Sequence, residues 1–152
     1  MGHSPRLPPR LVSALVFAVA GMLLPGLWFA PVLVPGRRDG VVWLLYVGLP
    51  GVVAALAGAL LGSPLVVPVA RNRDGAAVLR GAGVATAALV FFAPLYALVL
   101  KWTEPGWTSV LGLTVLVLGF SALAIWWAVA AVGGLVGWGL YRWSLRRVRA
   151  AA

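Results

Sequence analysis

The side chains that could do chemistry are few in this sequence, and they stand apart. There are three carboxylates, Asp39, Asp74 and Glu104, a single imidazole at His3, and no cysteine. Acid–base catalysis needs a positioned proton donor or acceptor, commonly a carboxylate or imidazole within hydrogen-bond reach of the reacting group. Here each acid is 30 residues or more from the next, and His3 sits in a proline-rich tail, MGHSPRLPPR, where it reads as solvated. No Asp, Glu, His or Cys cluster has the spacing of a metal site. Ser13, Ser63, Ser109 and Ser121 have no His or Asp partner for nucleophilic work. Met22 alone reads as packing rather than as a haem ligand. The absence of cysteine excludes disulfides and thiolate chemistry. The expectation is therefore no catalytic residue, no metal ligand and no cofactor, which argues against a hydrolase or transferase.

The elements that would position any such residues are apolar. Of 152 residues, 62% are hydrophobic and 10% charged, against about 45–50% and about 25% in soluble domains. Segments 11–36, 41–70, 81–100 and 105–141 contain no Asp, Glu, Lys, Arg or His, and each has 20 residues or more. A bilayer core of about 30 Å takes roughly 20 helical residues to cross. A soluble helix needs only one apolar face, whereas these are apolar all round. Membrane strands would alternate polar and apolar, and VVAALAGALLG and LTVLVLGF do not. The sequence thus predicts an all-α, polytopic integral membrane protein with four transmembrane helices. Its parts are a cytoplasmic Pro/Arg tail over 1–10, a single bundle over 11–141 and a basic cytoplasmic tail over 142–152. The spans fall at about 11–34, 41–62, 78–100 and 118–141. Ala18-Val19-Ala20 has the form of a signal cleavage site, but the apolar run continues to Val34, so an uncleaved span is expected.

The net charge of +9 is gathered at the edges of the apolar runs. That placement orients a chain in a membrane and gives no reason to expect nucleic acid. With the N-terminus inside, Arg6, Arg10, Arg71, Arg73, Arg80, Arg142, Arg146, Arg147 and Arg149 fall inside, and Arg37, Arg38 and Lys101 outside. The excess of inner positive charge puts both termini in the cytoplasm, as in a bacterial-type inner membrane. The four arginines at the C-terminal end form a basic inner face that attracts anionic lipid. The plainer reading of that cluster is a stop-transfer flank.

Prolines interrupt the spans. A proline lacks an amide proton and crowds the carbonyl four residues back, so kinks are expected at Pro25, Pro31, Pro50 and Pro94, with a kink or break near Pro25. Two GxxxG pairs, Gly58/Gly62 and Gly133/Gly137, let helices approach closely, and Gly134 and Gly139 widen the second. Trp28, Trp43, Trp102, Trp107 and Trp143 match interfacial anchors. Within the spans Ser13, Thr86, Tyr96, Thr114 and Ser121 read as hydroxyls bonding along or between helices. The stretch 108–141 has no proline and is too long for one span, so 108–120 is expected to be an outer extension or interfacial turn. A division into two spans is disfavoured because no turn chemistry occurs inside it.

Phe-Ala-Pro occurs at 29–31 and again at 92–94. With the two glycine pairs this raises a parallel two-helix repeat, set against chance reuse of a small alphabet. The offsets differ, 63 for the prolines and 75 for the glycines, so a 12-residue insertion would be required. Two functions compete. One is a non-catalytic accessory or assembly subunit of a larger membrane complex, with other membrane subunits or self-association as partners. The alternative is a small transporter, channel protomer or lipophile-binding bundle built on proline-broken helices.

Overall fold

The structure is a computed structural model that describes residues 7–33, 43–66, 74–103 and 109–151. Trp107 and the side chains of Trp28 and Pro31 lie outside the described residues. Among those described, the elements are all helical, as expected where no water is present to satisfy a free backbone. They are α1 (Pro9–Leu33), a π-helical turn (Leu44–Gly48), α2 (Leu49–Leu61), α3 (Ser63–Val66), α4 (Asp74–Thr103), α5 (Val110–Ala124) and α6 (Trp126–Ala151). Three are long and apolar enough to cross a membrane, Pro9–Leu27, Leu44–Leu61 and Asp74–Trp102. They become four if the bent pair Val110–Ala124 and Trp126–Arg149 is one span.

The prolines act differently from one another. α1 runs through Pro25 and Pro31 as one helix, so of the kink or break expected near Pro25 the break does not occur. α4 likewise continues through Pro94. One proline removes one bond, and the ladder resumes on either side where tertiary packing holds the helix. Pro50 has the larger local effect. The turn before it is widened to π geometry, with the Leu49 amide donating to the Leu44 carbonyl. A wider turn moves the Tyr46 carbonyl from the ring that would otherwise strike it. α2 ends at Gly62, whose amide donates to Gly58 O at 2.9 Å, and Ser63-Pro64 starts the short α3.

The last apolar run is broken where the sequence offers no breaker. α5 begins at a Ser109 cap, whose Oγ accepts from the Gly112 amide at 3.2 Å. It stops at Ile125, and α6 leaves at 71° to it. The expected span 118–141 therefore straddles a bend, which falls at Ile125, five residues beyond the end of the outer extension or interfacial turn expected over 108–120. Neither Pro nor Gly is at the bend. A cross-helix bond is: Trp126 Nε1 donates to Thr86 Oγ1 on α4 at 3.3 Å. The break thus coincides with a contact to α4 and not with local turn chemistry.

The helices pack as two antiparallel pairs, α1 with α2 and α4 with α6, joined mainly through α2 and α4. The core between them is thin: Phe17, Ala54, Ala57, Leu65, Ala77, Val84, Leu140 and Tyr141. Large apolar side chains cover the outside instead, including Leu60 at 76% exposure, Leu79 at 75% and Leu123 at 87%. Apolar surface on this scale is unfavourable in water and carries no such cost against acyl chains.

Candidate helix-packing site

The predicted glycines are brought to the two antiparallel contacts. In the first, Gly58 and Gly62 of the α2 end face Ser13 and Phe17 of α1. A Cβ on Gly58 would stand 2.9 Å from Phe17 Cβ and 3.0 Å from Ser13 O, and one on Gly62 would overlap Ser13 Oγ. In the second, Gly133 and Gly137 of α6 face Ala77, Gly81 and Ala85 of α4. A Cβ on Gly137 would stand 2.6 Å from Ala77 O and 2.7 Å from Gly81 Cα, and one on Gly133 would overlap Ala85 Cβ. In lipid, such close approach supplies association through van der Waals packing. Gly134 joins the contact through Val78, whereas a Cβ on Gly139 would meet nothing within 4 Å. Gly139 is on the outer face, not in the groove expected for it.

Three further glycines carry these contacts and were not singled out for packing. Gly81 faces both glycines of the α6 pair: its Cβ would overlap Gly133 O and stand 2.8 Å from Gly137 Cα. The signal was available, because Ala77, Gly81 and Ala85 form a small-xxx-small ladder. Gly21 would meet Ala54 Cβ at 2.6 Å, and Gly51 would overlap Met22 Cγ. Neither belongs to a GxxxG pair, so only the approach of α1 to α2 reveals them.

The two contacts share a register. Shifting the Ser13–Gly62 contact by 63 and 75 leads to positions 76 and 137, where Gly137 touches Ala77. The same shift takes Phe17–Gly58 to 80 and 133, where Gly133 touches Gly81. Each correspondence is met to within one residue.

Of the hydroxyls expected to bond along or between helices, Thr86, Tyr96 and Thr114 do so, and Ser13 does not. Thr114 Oγ1 donates back to Val110 O at 2.8 Å. Thr86 accepts from Trp126, and Tyr96 OH donates to Tyr46 OH at 3.2 Å. The two tyrosine rings meet edge to face at 6.1 Å, and Phe92 packs on Tyr96 at 5.3 Å. Ser13 is completely buried, and its Oγ has no hydrogen-bond partner among the described residues.

Asp74, Arg142 and Arg147 gather at one end of the α4–α6 pair, and Lys101 lies in the last turn of α4 at the other. Arg142 donates from an Nη to Asp74 Oδ2 at 2.5 Å. Asp74 is in the first turn of α4, where a negative charge also complements the helix dipole. The Arg142 guanidinium lies 5.5 Å over the Trp138 ring, and that of Arg147 lies 4.0 Å over Trp143. Of the expected anchors, Trp43 and Trp102 are exposed at the far end of the bundle, Trp102 at 89%, and Trp143 is at this basic end. Among the described residues no group of three or more His, Cys, Asp or Glu could hold a metal ion. What the arrangement does is hold helices at short range. Comparison with protein-family models, with curated proteins and with solved structures finds no match for this chain.

Proposed function

We propose that this chain is a non-catalytic accessory or assembly subunit of a larger membrane complex, inserted with both termini in the cytoplasm of a bacterial-type inner membrane. The observation that carries the reading is α5. It is apolar over its 15 residues, about 22 Å in length, and so too short to cross a core of about 30 Å unaided. It is turned aside from α6, and Leu111, Val115, Leu116, Phe120 and Leu123 point outward from it. A bent, short helix with an open apolar face is suited to lie along another subunit's helices. The glycine contacts supply a scaffold of two rigid pairs that presents it. The shared register supports reading those pairs as a two-helix repeat, with α5 close in length to the extra residues.

The test is gentle extraction followed by native mass measurement. The reading expects a partner, or a second copy, to remain attached, and polar substitution of α5 at Leu116 and Phe120 to release it. A stable lone monomer would overturn it. Reporter fusions at the two termini test the orientation, and an external C-terminus would reverse it.

A second reading, a small transporter, channel protomer or lipophile-binding bundle, draws on one feature. Tyr46 lies in the π turn and Tyr96 lies two residues after Pro94, so this interhelical hydroxyl pair occurs beside a widened turn on one helix and a proline on the other. Liposome flux, or a copurified lipophile lost on Tyr96→Phe, would favour it.

A further inference from the structure

We propose that the α4–α6 pair binds one anionic phospholipid, with its acyl chains along a groove on α6 and its phosphate at Arg142. The groove has a volume of about 490 Å³ and is lined by Val78 of α4 and by Ala131, Leu135 and Trp138 of α6. Positions 131, 135, 138 and 142 follow the spacing of a single helical stripe. The stripe therefore changes along its length from an apolar floor to a guanidinium. From Ala131 to Trp138 it covers about 10 Å of helix axis, and Arg142 lies one turn beyond.

Arg142 is placed to receive a phosphate. Its side chain is 50% exposed and is held over the Trp138 ring, with one Nη engaged by Asp74. A guanidinium carries five donors in a fork that matches phosphate oxygens. The ion pair with Asp74 is therefore a competitor that a phosphate meets, rather than a seal. Arg146 and Arg149 are exposed and continue the same stripe. They select the net charge of the headgroup: a zwitterionic lipid would turn its own cation toward them, and an anionic one would not. The groove is too short for a transmembrane helix, and only an amphiphile carries an apolar chain and an anion at the required spacing. Basic pockets beside membrane helices recognise lipid headgroups through this same combination. The inference is independent of the accessory-subunit reading, because it needs membrane insertion and no protein partner.

The test is native mass spectrometry of the full chain in detergent, titrated with phosphatidylglycerol and with phosphatidylcholine of the same acyl chains. Inorganic phosphate serves as a probe for the headgroup alone. The expected result is one retained phosphatidylglycerol in preference to phosphatidylcholine, and no retained phosphate. Arg142→Gln should weaken phosphatidylglycerol about fivefold, the effect of one near-surface charge. Ala131→Phe, which obstructs the groove floor and leaves every charge in place, should weaken it by a similar factor. Arg147→Gln should change it less than about twofold, because Arg147 is about 140° around the helix and packed on Trp143. Asp74→Asn should raise affinity by releasing the guanidinium. A merely structural Arg142–Asp74 pair would make Asp74→Asn and Arg142→Gln lose lipid together, which would overturn the proposal. So would equal binding of the two lipids, or an Ala131→Phe variant that loses a protein partner and keeps the lipid. Helicity is checked first by circular dichroism, and if Arg142→Gln fails to fold, Ala131→Phe and Asp74→Asn decide.

Discussion

Gly81→Ala is the sharpest probe of the glycine contacts. The new methyl would overlap the Gly133 carbonyl and stand 2.8 Å from Gly137 Cα and 3.0 Å from Gly137 N. Every one of these atoms is backbone, so no rotamer change relieves the crowding, and the two helices must separate by roughly 1 Å. Overpacking of this kind costs about 1–3 kcal/mol. Moving apart also weakens the neighbouring contacts of Gly133 and Gly137, which depend on the same separation. Gly83→Ala is the matched control: it is in the same helix, and its Cβ would meet nothing within 4 Å. Helix propensity alone would make both changes favourable by about 0.5–1 kcal/mol. The two variants should therefore differ by about 2 kcal/mol or more, roughly thirtyfold in the unfolding equilibrium. Reversible unfolding in mixed micelles, followed by circular dichroism and tryptophan fluorescence, measures the difference. If Gly81→Ala lies within 0.5 kcal/mol of Gly83→Ala, by the usual size of a neutral surface change, the close contact of α4 and α6 is not what holds them.

Other outcomes follow from individual bonds. Ser13→Ala should be neutral or stabilising in the same unfolding assay, because a buried hydroxyl without a partner is unfavourable by about 1–3 kcal/mol. Tyr96→Phe should cost about 0.6 kcal/mol, the average worth of an interhelical hydrogen bond in a membrane protein; a loss above 2 kcal/mol would point to a larger role for the tyrosine pair. Spin labels at positions 115 and 135 report the bend. A straight helix would hold those backbone positions about 30 Å apart, and a 71° turn at Ile125 brings them to about 24 Å, a difference pulsed electron resonance resolves. Trp126→Phe removes the bond to Thr86 and should broaden that distance distribution toward the longer value.

Much of the architecture was legible in single residues. The uncharged runs announce membrane-length helices because a charge in hydrocarbon is unfavourable wherever the chain folds. Gly58, Gly62, Gly133 and Gly137 announce helix contact because nothing but a hydrogen can stand where another backbone passes. Ser109 caps α5 because a short side-chain oxygen reaches a free amide at a helix start. The prolines were less legible: the same residue leaves α1 and α4 continuous and converts the turn before Pro50 to π geometry. The local sequence names the missing bond, and the neighbouring helix decides how the loss is absorbed.

The sequence by itself determined that the chain is helical, apolar on all sides of its long runs and charged at their edges, since each follows from the solvent a residue can tolerate. The tertiary structure decided which glycines meet, and so brought Gly81, Gly21 and Gly51 into the packing site and left Gly139 out. It also decided the turn at Ile125, where no proline or glycine asks for one. A bend without a breaker depends on what the helix touches, here Trp126 bonded to Thr86 forty residues away, and a contact across that distance is set by packing rather than by neighbours in the chain.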